Sequence, residues 1–283
     1  VFVVSRTTLV VATADQHVNS TVGLCPPAVT LDDGGTYRAS EVQLLQWSYW
    51  KEFWNFIEGK KEEHKALVFA LWCGDLNDLN VYNSLELISR NPADVLRMTV
   101  ETMDPALQVA DVNIIIRGTQ AHTGKQANYE EAVARDIKAE KDPETGRYSW
   151  WWFYGELGGI TVDAAHHPGT SGWLPHTEKP AAARHADVVR RQYLEAKREP
   201  PHIVLRAHNH RYIPYAADVD TKPWMFYLPG WQFVTSHARR RGATFQAHKI
   251  GGMWFVCKNG RIVEWNVWRR GPKMRKPWTR AKT

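Results

Sequence analysis

With 283 residues, 43% of them hydrophobic, the chain can build one large α/β domain and is too apolar to be disordered over most of its length. No apolar run approaches the roughly 20 residues of a membrane span. The three cysteines, Cys25, Cys73 and Cys257, are too few and too far apart for a disulfide framework or a Cys-x-x-Cys metal pair, so a reducing cytoplasm is the expected setting. The net charge of +6 is local, because seven Lys/Arg and no acidic residue lie between Arg269 and Thr283, which leaves a near-neutral body and a basic tail.

Residues 9–14 (LVVATA) read as a buried strand that ends at a charged motif. The Pro/Gly/Asp-rich stretch 18–38 reads as a long loop. Ser40 can cap a helix running to about Gly59, with Val42, Leu45, Trp50, Phe53, Trp54 and Ile57 at helical spacing. Residues 66–73 (ALVFALWC) form a second buried strand, and 92–110 a helix with Pro92 near its start. A third strand covers 112–118 (VNIIIRG), followed by a helix over 128–141 and a turn at DPETG. The aromatic run Trp150–Tyr154 (WWWFY) suits a buried strand or packed loop, and alternatively a stacking surface for bases or aromatic leaving groups.

GGITVDAAHHPG carries a strand into His166 and His167. Residues 178–198 suit an amphipathic helix, and HIVLRAHNH is a strand ending at His208. The remainder to Trp268 reads as strands with a turn at Asn259-Gly260. No internal repeat is visible. Strands and helices alternate, which favours an α/β architecture with functional groups beyond the strand ends.

Polar clusters follow apolar strands repeatedly: Asp15-Gln16-His17, Gly74-Asp75, Gly118-Thr-Gln-Ala-His122, His166-His167-Pro168 and His208-Asn209-His210. Singly each is weak. Together, in order, they supply carboxylates and imidazoles suited to Mn, Zn, Fe or Mg. Two such cations about 3.5–4 Å apart need a shared anionic bridge and can clamp a phosphoryl group. Asp75 is a natural bridge.

The ordered set resembles the calcineurin-like metallophosphoesterases, whose pattern is Asp-x-His, Gly-Asp, Gly-Asn-His-Asp/Glu, His, then Gly-His-x-His. The resemblance covers residues 9–210. The Gly23-Leu-Cys-Pro-Pro27 loop and Trp-rich helix are similar to a phage-type branch. It implies a double β-sheet sandwich flanked by helices, in four layers, over residues 1–268, with 269–283 a flexible basic tail. It also implies a hydrolase acting on phosphodiesters or phosphomonoesters with two divalent metal ions. Asp15, His17 and His210 would hold one ion, His166 and His208 the other, and Asp75 would bridge them, with His166 preferred to His167. His122 would take the catalytic histidine's place, touching the transferring phosphoryl group and the leaving oxygen.

Two departures stand out. Gly-His-x-His is Ala207-His-Asn-His210, and Gly-Asn-His is replaced by Gly118-Thr-Gln-Ala-His122. The usual Asn ligand then has Gln120, Thr119 or a water in its stead. Arg117, Arg206, Arg211 and Asn209 border the motifs as candidate phosphate contacts. The expected partner is a phosphoester, a nucleotide or nucleic acid among the candidates, and no membrane. The competing reading is a nucleic-acid-binding or scaffold protein on the same fold with a partly eroded metal site, to which the basic tail and aromatic run would suit.

Overall fold

The computed structural model describes residues 7–79, 85–168, 175–215, 222–235 and 249–272. In chain order they form β1 (Thr8–Thr13), β2 (Ala28–Thr30), β3 (Thr36–Arg38), α1 (Glu41–His64), β4 (Leu67–Cys73), α2 (Pro92–Leu107), β5 (Val112–Ile116), α3 (Gln120–Thr123) and α4 (Asn128–Asp136). There follow β6 (Ser149–Trp150), β7 (Phe153–Leu157), β8 (Ile160–Ala164), α5 (Pro175–Glu195), β9 (Ile203–Arg206), β10 (Ile213–Tyr215), β11 (Trp224–Tyr227), β12 (Ile250–Lys258) and β13 (Arg261–Arg270).

One six-stranded sheet has the order β13-β12-β1-β4-β5-β6, and a five-stranded sheet has the order β10-β11-β9-β8-β7. Strands β1, β4, β5 and β6 are mutually parallel, as are β8, β9 and β11. Side chains alternate across a strand, and that alternation builds the layers. On β1, Val10 and Ala12 meet β8 and β9 of the other sheet through Val162, Ala164, Ile203 and Leu205. Leu9 and Val11 face the opposite way, onto α1, α2 and α4. On the far side of the second sheet, Val204, Met225 and Tyr227 pack on Ala182, Ala186 and Val189 of α5. The result is helix, sheet, sheet, helix: the expected double-sheet sandwich in four layers. Strands buried on both faces explain the near-continuous apolar runs in the sequence.

Local chemistry accounts for most element ends. Ser40 and Gln43 form a capping box at the start of α1. Asn91 caps α2, with Pro92 in its first turn. Asn259 and Gly260 take the left-handed conformations of a two-residue hairpin turn between β12 and β13. Other boundaries differ from expectation. Helix α1 continues past Gly59 to His64, and its last turn is tied to the rest of the fold by Lys60 with Glu264 (2.8 Å) and Lys61 with Asp111 (2.9 Å). The stretch expected as loop contains the hairpin β2–β3, closed by a turn at Asp32–Gly35. Helix α4 stops at Asp136, where Lys138 turns left-handed and Ala139 N donates back to Ala134 O (2.8 Å). The aromatic run divides: Trp150 ends β6, Phe153 starts β7, and Trp151 and Trp152 between them are exposed. Arg269 and Arg270 belong to β13, and residues 273–283 of the basic tail lie outside the described residues.

All three cysteines are free and buried, and burial pushes the Cys25 and Cys257 thiols up to about 12. Among the described residues no helix is long and apolar enough to cross a membrane.

The abundant tryptophan is mostly structural. Trp50, Trp54, Trp72 and Trp231 are fully buried between α1 and the first sheet. Trp50 meets Trp231 edge-on at 4.6 Å, and its Nε1 donates to Thr102 O (2.8 Å). Buried Gln46 donates to both Val22 O and Trp231 O (2.9 Å each), tying α1 to the loops that follow β1 and β11. Truncation of a ring so placed leaves a cavity that neighbours fill only in part. Trp50→Ala is expected to lose about 3–5 kcal/mol of stability, read as a lower denaturant midpoint at unchanged slope.

Candidate metal centre

Parallel strands that end at one edge bring the polar clusters together. Asp15 and His17 follow β1, Asp75 and Asp78 follow β4, and Thr119 and His122 follow β5. From the second sheet, His166 follows β8, and His208 and His210 follow β9. Five of these residues have left-handed backbones: Asp15 (φ 56°), His17 (46°), Asp75 (53°), His208 (70°) and His210 (53°). Such conformations are rare without glycine and cost on the order of 1–3 kcal/mol each. They are held by hydrogen bonds between the strand-end loops: Asp15 N to Gly74 O (2.9 Å), His17 N to Asp75 O (3.1 Å) and Trp231 N to Asp15 O (2.9 Å).

Two glycines permit the close approach. A Cβ on Gly118 would lie 2.2 Å from both Asp75 N and Asp75 Oδ1, and one on Gly74 (φ 83°) would lie 2.6 Å from His166 Nδ1.

The side chains gather into two facing groups. In the first, Asp15 Oδ1 lies 3.3 Å from His210 Nε2 and 3.8 Å from His17 Nε2, and those two nitrogens are 3.1 Å apart. In the second, His166 Nε2 lies 3.1 Å from Asp75 Oδ2 and 3.3 Å from His208 Nδ1, which is 3.9 Å from the same carboxylate oxygen. Asp75 is further oriented by Thr119, whose N–H donates to Oδ1 (2.6 Å) and whose hydroxyl donates to the same oxygen (3.0 Å). Asp15 Oδ2 accepts from His208 N (3.2 Å), which links the groups.

The imidazole protons are assigned by their outer partners. His166 Nδ1 lies 2.7 Å from Cys73 O, which can only accept, so the neutral ring turns its Nε2 lone pair toward Asp75 and His208. His17 Nδ1 donates to Asp78 Oδ1 (3.0 Å), so its Nε2 lone pair faces Asp15 and His210. Asp78 also accepts from His122 Nδ1, and the His122 ring stands edge-on to His17 at 4.5 Å.

Charge balance follows from burial. Burial alone would raise the Asp15 and Asp75 carboxyls, yet neighbouring imidazoles hold both well below the usual carboxylate range: His210 and His17 for Asp15, His166 and His208 for Asp75. Burial would likewise lower His166, but Asp75 raises it to about 9. His17 is raised against burial by Asp78 and Asp15. Glu130, fully buried behind Asp75, is pushed up to about 7 by burial and by the Asp75 charge, while its oxygens accept from Gly118 N (2.5 Å) and Leu76 N (3.2 Å).

The donor set fits divalent cations. Asp15 Oδ1 is buried, has no hydrogen-bond partner, and converges with two imidazole nitrogens. Each group of three ligand atoms lies within 4.8 Å. Without a cation, protons on His17 and His166 take over the neutralising role. A different convergence, Glu63, His64 and Glu264, is already filled by the Lys60 ammonium at 2.8 Å from Glu264 and 2.9 Å from Glu63.

The structure thus brings together Asp15, His17, Asp75, His166, His208 and His210, with His122 alongside. His167 is exposed, although its ring contacts His166 and His208. Gln120 is exposed on α3, and Thr119 is the residue of that loop that reaches Asp75. Arg117 is engaged by Ser149 and Glu131, Arg206 by Asp163, and Arg211 by Glu178. Asn209 is half-buried between the two histidines, its N–H bonded to Ala207 O. Sequence reasoning missed Asp78, which the spacing Asp75-x-x-Asp78 offered. It also missed Glu130, which looked like any acidic residue of a surface helix.

No family model matches the sequence, and no curated protein matches it. Among solved structures, the chain is similar to a Thermotoga maritima protein solved by NMR in solution, with 10% identity and a TM-score of 0.38 over 93% of this chain and 99% of that one. It is also similar to a conserved Streptococcus pneumoniae protein described as a predicted phosphoesterase, with 10% identity and a TM-score of 0.31 over 93% and 98% of the two chains. Likeness at this level carries nothing about chemistry, and the site stands on its own geometry.

The raised groups fix a pH response of the metal-free protein. His166, raised from 6.5 to about 9, contributes stability that is complete below pH 6.5 and lost as pH rises through about 9. Glu130, raised from 4.5 to about 7, acts in the same direction over its own interval. The depressed Asp15 and Asp75 contribute stability that is lost only as pH falls below their ordinary value of 3.8. The metal-free Tm is therefore expected to fall between pH 6.5 and 9. The Tm gain on adding Mn²⁺ should grow over that interval, as a cation replaces the missing protons. A Tm indifferent to Mn²⁺ at every pH would reject the site.

Proposed function

We propose that this chain is a metal-dependent phosphoester hydrolase of the calcineurin-like metallophosphoesterase family, related to its phage-type branch. The observation that carries the reading is the pair of facing Asp/His groups whose imidazole lone pairs are aimed inward by Asp78 and Cys73 O. Asp15, His17 and His210 would hold one divalent cation, Asp75, His166 and His208 would hold a second, and Asp75 would serve as the shared anionic ligand. When bound, the cations supply positive charge to the phosphoryl oxygens and acidify water.

The protein's own contribution is orientation and proton handling. Thr119 clamps the Asp75 carboxylate, and Glu130 fixes the two loops on either side of it through Gly118 N and Leu76 N. Asp78 accepts the His122 Nδ1 proton, leaving Nε2 as the nitrogen available to a substrate. Protonated there, it can hand a proton to a leaving alkoxide as negative charge builds. The partly eroded site of a pure binding protein fits less well. Six ligand-type side chains converge, four of them buried, and buried charges without a cation or proton between them are costly.

Chelation is expected to abolish hydrolysis and Mn²⁺ to restore it. Asp75→Asn should lose most activity, because a neutral bridge holds two cations together poorly. Full turnover in a metal-free preparation, confirmed by elemental analysis, would sink the reading.

Leaving-group dependence tests His122. His122→Ala should keep near-parental metal content and slow alkyl or nucleotide esters by about 10²–10⁴-fold, with much smaller losses on nitrophenyl esters, whose leaving group needs no proton. Equal small losses on both would remove His122 from the chemistry, and loss of bound metal would recast it as a ligand.

A further inference from the structure

Trp151 of the Trp150–Tyr154 run lies on the crossing between the two sheets and takes no part in the ligand groups. The chain crosses from the first sheet to the second at Trp151 and Trp152, since Trp150 pairs with Ile116 and Phe153 with Ala164. The crossing lies at the edge where the ligands gather. Trp150 O accepts from Arg117 N (2.8 Å), and Thr119, two residues beyond Arg117, contacts Asp75. Ala164 is likewise two residues before His166. Strand rise and spacing place the Trp151 backbone on the order of 10 Å from that of Asp75, a separation that a nucleoside can bridge from base to phosphorus.

Trp151 is 52% exposed, yet it is not a loose ring. The Arg117 guanidinium lies over it, with Cζ 4.6 Å from the ring centroid. That guanidinium is itself fixed: Nε donates to Ser149 Oγ (2.8 Å) and Nη2 lies 3.6 Å from Glu131 Oε2. The same Glu131 oxygen accepts from Ser149 N (2.9 Å) and Ser149 Oγ (2.6 Å). A ring pinned by a cation loses little freedom when a second flat group joins it. The cation also favours an anionic ligand. Trp152 is placed differently: it stacks on Tyr154 (5.6 Å, 16°), which carries Arg198 over its ring.

Resting on the phosphoester reading above, we propose that Trp151 is the stacking surface for a nucleobase, so that the centre acts on nucleobase-bearing phosphoesters, with Arg117 positioning the ring. Bases stack on aromatic side chains with little dependence on sequence, so this assigns a substrate class rather than one base.

The test uses two esters with the same leaving group, thymidine 5′-(4-nitrophenyl phosphate) and ethyl 4-nitrophenyl phosphate, and the full chain loaded with Mn²⁺. The parent should favour the thymidine ester. Trp151→Ala should lower the ratio of kcat/KM between the two esters by about 5- to 150-fold, chiefly through KM. Trp151→Phe should recover part of the preference, and Trp152→Ala should leave the ratio as it is. In a second arm, a fluorescent oligothymidylate is titrated into the metal-free protein by anisotropy. Weaker binding by Trp151→Ala assigns the base to a single strand, whereas an effect confined to the thymidine ester assigns it to a mononucleotide. An unchanged ester ratio together with unchanged oligothymidylate affinity in Trp151→Ala overturns the proposal. Should neither ester be hydrolysed while Trp151→Ala still loses oligothymidylate binding, the phosphodiesterase form of the hydrolase reading falls and the stacking assignment stands.

Discussion

The carboxylates of Asp15 and Asp75 are fully out of water, and an uncompensated buried charge costs several kcal/mol. Everything around them answers that cost. Imidazoles of His17, His166, His208 and His210 face them, backbone N–H groups of Thr119 and His208 donate to them, and the outer partners Asp78 and Cys73 O fix the direction of the rings. The two carboxylates can be neutralised by protons carried on the imidazoles or by cations. The geometry accommodates both, so a cation bound here would couple ionisation and folding in one place.

Such a centre needs rigid backing, because five of its residues hold backbone conformations that the chain resists. The backing comes from the tryptophan-rich layer behind the first sheet. Trp231 lies in the loop whose N–H bonds Asp15 O, and it is wedged against Trp50 and tied by Gln46. Gly230, beside it, lets His210 and Asp15 come close, since a Cβ there would lie 2.9 Å from His210 Cγ. The tryptophans packed behind the first sheet therefore brace the strand-end loops.

Much of this was legible in the sequence for a physical reason. Asp15, His17, Asp75, His166, His208 and His210 each follow an apolar run, and buried parallel strands announce themselves as apolar runs. Their ends share one edge, so order in the sequence became proximity in space. What stayed hidden depends on tertiary partners. Glu130 sits in a helix of ordinary acidic composition, and only the fold turns it inward to Gly118 and Leu76. Helix α1 runs beyond Gly59, where its last turn meets Glu264 and Asp111, both far away in sequence. Thr119 rather than Gln120 meets Asp75 because the chain enters α3 at that point, leaving Gln120 on the outside.

Each of the two Asp/His groups draws from both sheets. Asp15 and His17 come from the six-stranded sheet and His210 from the five-stranded one, while Asp75 comes from the first and His166 and His208 from the second. Away from this edge the two layers are joined by side-chain packing and, at the opposite end, by the backbone bond from Gly260 N to Gly158 O (3.3 Å). An ion seated in either group would therefore be a rivet through both layers. The two halves of the sandwich would be locked in register at the edge where these ligands gather.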